Sequence, residues 1–300
     1  MLTDFHITII GGDARQIEII RKLTEMDATV SMVGFDQLDQ GFINASKKQL
    51  DEIDFNHVDA IVLPVSGTSQ NGEVEAVFSG DTIVLSENIF KETPGHCVIY
   101  SGISNDYLDA CTKNANRTLV KLFERDDIAI YNSIPTVEGT IMMVIQNTDI
   151  TIHGSKTVVL GFGRTGMSVA RAFSALGANV RVGARDLADL ARITEMGVRP
   201  FHIDDIHREV AQCDVVINTI PAPILKADVI AKMPTHALIV DLASKPGGTD
   251  FRYAEKRGVK ALLAPGLPGI VAPKTAGKII ASVLVQLLAE DYKRRKGNGG

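Results

Sequence analysis

Val158–Gly166, VVLGFGRTG, is the stretch whose reading decides the fold. An apolar run from Lys156 to Leu160 leads into Gly161, Gly163 and Gly166, after which Met167, Val169, Ala170, Phe173 and Leu176 recur at helical spacing. Strand, glycine turn and helix in that order are the context in which G-x-G-x-x-G marks a dinucleotide-binding βαβ unit and not an idle turn. Gly161 permits the sharp turn, Gly163 lets the backbone approach a pyrophosphate, and Gly166 lets helix and strand pack closely. Phe162, Arg164 and Thr165 complete the candidate cofactor turn.

The next strand, Asn179 to Gly183, narrows the cofactor. It ends in Gly183-Ala184-Arg185-Asp186, where an NAD-selective site places an acidic residue on the ribose hydroxyls. Ala184 and Arg185 leave that carboxylate out, and the Arg185 guanidinium suits a 2′-phosphate or stacks on adenine. NADP is therefore the expected cofactor, with Asp186 kept as a possible ribose contact.

Composition agrees with an ordinary enzyme of two domains: 300 residues, 45% hydrophobic and 22% charged. A net charge of −5 gives no field for holding nucleic acid, and the one basic cluster, Lys293-Arg294-Arg295-Lys296, falls in a glycine-ending tail expected to be disordered. Cys97, Cys111 and Cys213 lack metal-ligand or redox spacing, so reduced, packed thiols are expected, with no metal site. Asp4 and His6 interrupt the apolar start, so no signal peptide or membrane span is expected, and a cytoplasmic protein is; an oligomer is a separate expectation.

Ahead of the fingerprint, His6 to Ile10 reads as a strand ending at Gly11-Gly12, followed by a helix carrying Ala14, Ile17, Ile20 and Leu23. Further strands are expected at Thr29 to Gly34, Ala60 to Val65, Thr82 to Ser86, Cys97 to Tyr100, Thr118 to Leu122 and Ile128 to Tyr131. The fold class is α/β: two doubly wound parallel-sheet domains separated by a cleft, the second a Rossmann NAD(P)-binding domain. The first turn lacks the third glycine, so it is read as a substrate site. Residues 1–134 are the expected flavodoxin- or Rossmann-like substrate domain; residues 135–300 are the linking helix, the NADP domain and a closing helix.

Arg15 beside a helix N-terminus, and Ser66-Gly67-Thr68 at the end of a strand, are candidates for binding a carboxylate. Asn132-Ser-Ile-Pro-Thr-Val-Glu-Gly139 enters the linking helix, with Pro135 at its start, and puts Asn132, Thr136 and Glu138 forward as substrate contacts. Glu138 has a second reading as a first-turn acid that complements the helix dipole. In the second domain, strands ending near Thr219, Leu242 and Ala264 share one carboxyl edge. Their loops offer Thr219, Ile220, Pro221, Ala243 and Ser244 to the cofactor, and Lys245 and Lys274 to an anionic substrate.

GGDARQ at 11–16, NSIPTVEG at 132–139, VVLGFGRTG, DLASKPGG at 241–248 and APGLPGIVAPKTAG at 264–277 occur in an order and spacing that resemble the A subunits of bacterial dipicolinate synthase, over essentially the whole chain. The resemblance implies an NADP-linked oxidoreductase that converts dihydrodipicolinate, a branch-point intermediate of lysine synthesis, to dipicolinate in the mother cell during sporulation. It also implies a partner, a smaller flavoprotein-like B subunit, and it does not say which residue accepts the proton. On the residues, Glu138 and Lys274 are the catalytic candidates, and Arg15, Ser66, Gly67, Thr68, Asn132, Thr136 and Lys245 are the candidates for holding the dicarboxylate. Two other classes stay open: an NADP-sensing module without turnover, and another two-domain dehydrogenase resembling alanine dehydrogenase or adenosylhomocysteinase.

Overall fold

Parallel strands cannot be joined by a tight turn, so each must return through a crossover, usually a helix. The computed structural model, which describes residues 1–244 and 246–297, follows that rule twice. The first half runs β1 (His6–Ile10), α1 (Ala14–Glu25), β2 (Thr29–Val33), β3 (Ala45–Lys48), β4 (Ala60–Val62), β5 (Glu73–Val74), β6 (Ile83–Val84), α2 (Glu87–Glu92), β7 (Val98–Ser101), α3 (Asp106–Asn114) and β8 (Thr118–Lys121). After α4 (Asp126–Asn147) come β9 (Lys156–Leu160), α5 (Arg164–Ala175), β10 (Asn179–Ala184), α6 (Leu187–Glu195), β11 (Arg199–His202), α7 (Ile206–Glu209), β12 (Val215–Asn218), α8 (Ala227–Ile230), β13 (Leu238–Asp241), α9 (Phe251–Arg257), β14 (Lys260–Leu263), α10 (Leu267–Val271) and α11 (Pro273–Gly297).

Two six-stranded parallel sheets result, ordered β3-β2-β1-β4-β7-β8 and β11-β10-β9-β12-β13-β14. The winding reverses between β1 and β4 in one and between β9 and β12 in the other. Such switch points open a crevice at the carboxyl ends of the strands. Near-continuous apolar strands such as Val158–Leu160 and Val215–Ile217 are fully buried, because helices cover both faces of each sheet.

The contacts divide the chain into one unit of Met1–Ile128 with the residues from Pro273 on, and a second of Ala129–Ala272. By these contacts the closing helix, expected with the second domain, groups with the first unit. Ile280, Ala281, Leu284 and Leu288 of α11 share a core with Ile19, Ile20 and Leu23 of α1. The basic end of α11 is helical as far as Gly297, not a disordered tail. Arg295 donates to the Asp59 carboxylate at 2.8 Å and the His96 carbonyl at 3.1 Å, pairs with Asp291, and lies over the Phe5 ring.

Two expected strands also change. Thr82 to Ser86 shrinks to β6, which pairs antiparallel with β5 outside the main sheet. Ile128 to Tyr131 is not a strand but part of α4, whose start lies well before Pro135. Its β-branched and aromatic residues imitate a strand, yet Ile128, Asn132, Pro135, Gly139 and Thr140 are buried at helical spacing. Pro135 forfeits one backbone hydrogen bond inside the helix. The hydroxyls of Ser133, Thr136 and Thr140 bond back to carbonyls of the preceding turn at 2.7–2.8 Å. By length and hydropathy α4 is the one described helix able to cross a membrane, but Val137 and Val144 on its inner arc join the second unit's core.

The three cysteines are buried and unbridged. Burial pushes the thiols of Cys97 and Cys213 from 9.0 up to about 12. The folded state therefore holds these protons more tightly than the unfolded chain, so their contribution to stability falls as pH rises from about 9 toward 12. Maleimide at pH 8 is expected to leave Cys97 and Cys213 unlabelled until denaturant is added, as mass spectrometry would show. Arg295→Ala removes charged hydrogen bonds that fasten the end of α11, and is expected to lower the first unit's unfolding free energy by about 1.5–3 kcal/mol in urea titrations.

Candidate functional site: an open glycine turn and a closed one

The first N–H groups of a helix have no partner within it and must find one elsewhere. In α5 the N-cap is Gly163, and no side chain caps the turn. The turn and the start of α5 border a cavity of about 420 Å³ lined by Gly161, Gly163, Arg164, Thr165, Thr219, Ile220, Pro221, Leu242, Ala243 and Ser244. Among the described residues, a side chain on Gly163 would meet nothing within 4 Å, so its space is open to a ligand. Gly161 has φ +93°, a left-handed conformation that favours glycine. A Cβ on Gly166 would lie 2.2 Å from the Gly161 carbonyl oxygen, which is the close helix-to-turn packing that the motif requires.

The other pieces of the cofactor reading take distinct places. Phe162 is buried in the core, so only its backbone faces the turn. Thr219 donates its hydroxyl to the Leu160 carbonyl at 2.8 Å and ties β12 to β9 at the switch point. Ala184 is buried at the end of β10, and Arg185 and Asp186 beyond it are exposed. Uncapped N–H groups, an open glycine and a nearby cation are what a phosphate-bearing dinucleotide needs.

The first unit's turn has the same topology and the opposite condition. Asp13 caps α1, accepting from the Arg15 backbone N–H at 2.9 Å, while Gln16 returns a bond to the Asp13 N–H at 3.1 Å. The Asp13 carboxylate also grips the Arg15 guanidinium at 2.7 Å. Over the turn runs the segment after β5: the Gly12 N–H donates to the Glu75 carbonyl at 2.6 Å, and Val77 N–H donates to the Gly12 carbonyl at 3.0 Å. The protein's own carboxylate and backbone thus fill the place a pyrophosphate would take. Arg15, expected to attract a substrate carboxylate, has its charge already matched.

Nearby, Ser66 is exposed and donates to Glu75 at 3.2 Å. Gly67 takes φ +67°, and Thr68 is buried with its hydroxyl oxygen unpartnered among the described residues. In α4, the Asn132 side-chain oxygen is likewise buried without a partner, and the Thr136 hydroxyl is used on the Asn132 carbonyl. Glu138 is exposed in mid-helix, so its reading as a first-turn acid does not hold. Lys274 lines a groove of the first unit with Glu18, Arg21, Lys22 and Lys278. Lys245 lies outside the described residues.

Sequence reading passed over the buried Asn218 and Asp241 and the half-buried Thr249, which form a polar cluster behind the open turn. A polar residue closing each of two apolar strands, VVIN and LIVD, was the available signal. Gly163→Ala, at φ −76°, is expected to leave thermal unfolding unchanged while weakening dinucleotide binding, by about tenfold if it displaces one phosphate contact. Gly166→Ala should instead destabilise the second unit, by about 1–3 kcal/mol of overpacking. Calorimetric titration and thermal melts of the two variants separate these effects.

Residues 6–123 match the family model for the N-terminal domain of the dipicolinate synthase A subunit, and residues 133–297 match the model for the C-terminal domain of alanine dehydrogenase/PNT. The chain is 64% identical over 290 residues to the dipicolinate synthase A subunit of Bacillus subtilis (strain 168), covering 97% of this chain and 98% of that one. The crystal structure of the dipicolinate synthase A subunit from Bacillus halodurans superposes with a TM-score of 0.95 at 66% identity, covering 96% of this chain and 99% of the other. The crystal structure of its counterpart from B. subtilis does so with a TM-score of 0.95 at 63% identity, covering 98% and 99%. With an open dinucleotide turn of the dehydrogenase type in its second unit and these relatives along its length, the chain belongs to the family of dipicolinate synthase A subunits.

Proposed function

We propose that this chain is the NADP-linked oxidoreductase subunit that converts dihydrodipicolinate to dipicolinate during sporulation, in the cytoplasm of the mother cell and partnered by a smaller B subunit. The observation that carries the reading is the uncapped glycine turn of α5, in a chain 64% identical to a dipicolinate synthase A subunit. When bound, the dinucleotide supplies a hydride acceptor at nicotinamide C4. The N–H groups at the start of α5 would hold the pyrophosphate, and the exposed Arg185 beside the buried Ala184 would meet a 2′-phosphate where a carboxylate would repel it. Thr219 to Pro221, Ala243 and Ser244 line the same cavity.

The substrate is a cyclic imine with two carboxylates. Losing a hydride and a proton makes the ring aromatic, which drives the reaction toward product. The protein has to fix the carboxylates, bring one ring carbon to within about 3–3.5 Å of the hydride acceptor, and take up a proton. Thr68 is the strongest candidate donor to a carboxylate, since a buried hydroxyl with no partner among the described residues is costly until a ligand satisfies it. Ser66, Asn132, Lys245 and Lys274 are further candidates. The Asp13 pair makes Arg15 a weaker one. Glu138 is the candidate base, with a bound water as its alternative.

Turnover is read from absorbance at the reduced nicotinamide band with purified chain, NADP and dihydrodipicolinate, with and without the B subunit. Absence of turnover in both, with NADP still bound, would replace this reading with that of a non-catalytic NADP-binding subunit. Arg185→Ala is expected to weaken NADP by roughly tenfold to a hundredfold, the value of one hydrogen bond to a charged group, and to spare NAD. Equal loss of both cofactors in fluorescence titrations would remove the phosphate role from Arg185.

A further inference from the structure

Behind the cofactor cavity, the two loops that leave β12 and β13 are tied together by side chains that do not line it. Asn218 and Asp241 end neighbouring strands in register, and both are fully buried. The Asn218 amide donates to Asp241 Oδ1 at 2.9 Å. It also brackets Ile220, accepting from its N–H at 3.0 Å and donating to its carbonyl at 3.2 Å, which fixes the turn that presents Thr219, Ile220 and Pro221.

Asp241 does the same for the next loop. Its Oδ1 accepts from the Ala243 N–H at 3.0 Å, and its Oδ2 accepts from the Gly248 N–H at 2.8 Å and the Thr249 hydroxyl at 2.6 Å. Both ends of the Ala243–Gly248 loop therefore hang on one carboxyl group. The Gly248 carbonyl in turn accepts from Ile224 and Leu225 at 3.0 and 2.9 Å, stitching this loop to the one after β12. A Cβ on Gly248 would fall 2.6 Å from both the Ala222 carbonyl oxygen and the Asn218 amide nitrogen, so the two loops are in tight apposition there.

A cluster of this kind is a poor way to stabilise a core, since apolar residues of the same volume would serve as well. Its distinctive effect is to set the spacing of two backbones. In a doubly wound sheet the adenosine half of a dinucleotide lies toward the second strand of the unit, here β10, so the nicotinamide half lies across the switch point, toward β12 and β13. We propose that Asn218, Asp241 and Thr249 are positioning residues that hold Thr219–Pro221 and the loop ends at Ala243 and Gly248 at one fixed separation, so that the nicotinamide half of the cofactor is received on preformed backbone. This rests on the dinucleotide reading of the second unit. The three residues act through the loops and not by touching the reacting atoms.

The test uses the full chain and two kinds of probe: NADH and NADPH as whole dinucleotides, and ADP and adenosine 2′,5′-bisphosphate as the adenosine half. Thr249→Val keeps the shape and removes one donor; Asp241→Asn keeps the shape and sets an N–H against the donors of Ala243 or Gly248. Expected for Thr249→Val is a whole-dinucleotide affinity about tenfold weaker, with adenosine-half affinity within about twofold of wild type, and Thr249→Ser restoring the whole-dinucleotide affinity. Asp241→Asn should widen the gap between the two kinds of probe. Parallel weakening of both, or no weakening of either, in Thr249→Val would overturn the positioning role, and Thr249→Val decides the matter should Asp241→Asn fail to fold. Failure of wild type to bind any of the four probes would overturn the dinucleotide reading itself, a different result from either.

Discussion

A helix start leaves N–H groups that some acceptor has to satisfy, and the organisation of this chain turns on where that acceptor comes from. Both sheets wind in the same order and place a glycine turn and a helix at the same switch point. In the first, the acceptor is internal: Asp13 caps α1, and the strap through Glu75 covers Gly12. In the second, Gly163 brings no side chain, and the cavity in front of α5 stays open. One architecture is thus used twice with its anion site closed in one copy and open in the other, and the difference reduces to one capping side chain and one covering segment.

That difference bears on what could be read from residues alone. The open turn was legible, because three glycines at fixed spacing between an apolar strand and an amphipathic helix have few other uses. The closed turn was legible only as the lack of a third glycine. That Asp13 spends itself on both the helix and Arg15 follows from a rotamer, which spacing does not reveal. The edge strands β3 and β11 went unread for a related reason. Ala-Ser-Lys-Lys and Arg-Pro-Phe-His are mostly exposed or half-exposed and carry no apolar run; they are strands because a neighbouring strand offers a free edge to pair with. The packing of α11 on α1 was not legible either, because an apolar face does not name its partner in advance.

The α4 helix shows the limit of periodicity from another side. Its buried arc carries Ile128, Asn132, Gly139, Thr140 and Val144, while Ile130, Tyr131, Ile134, Met142 and Ile145 are exposed on the other. A helix apolar on both arcs has little contrast, so the 3.6-residue signal that would have marked its start is weak and the β-branched run ahead of Pro135 reads as a strand. Three hydroxyl bonds to backbone carbonyls and a proline in one helix add to that ambiguity. Tertiary contact with α10, where Leu267 packs within 3.0–3.2 Å of the position a Gly139 side chain would occupy, decides what propensity leaves undecided.

The two loops at the carboxyl edge of the second sheet raise a question of cost. Burying Asn218 and Asp241 is tolerable only because every oxygen and the amide nitrogen find partners, and several of those partners are backbone groups that loops would otherwise turn to water. The same bonds that satisfy the buried side chains thereby remove freedom from the loops. A ligand that meets loops already ordered forgoes the entropy of ordering them, roughly 1–2 kcal/mol for each residue otherwise fixed on binding. Rigidity behind the cavity and a helix start without a capping side chain in front of it are thus complementary. The helix start supplies attraction for charge, which is long in range and tolerant of geometry, and the cluster supplies the shape against which an uncharged ring can be aligned.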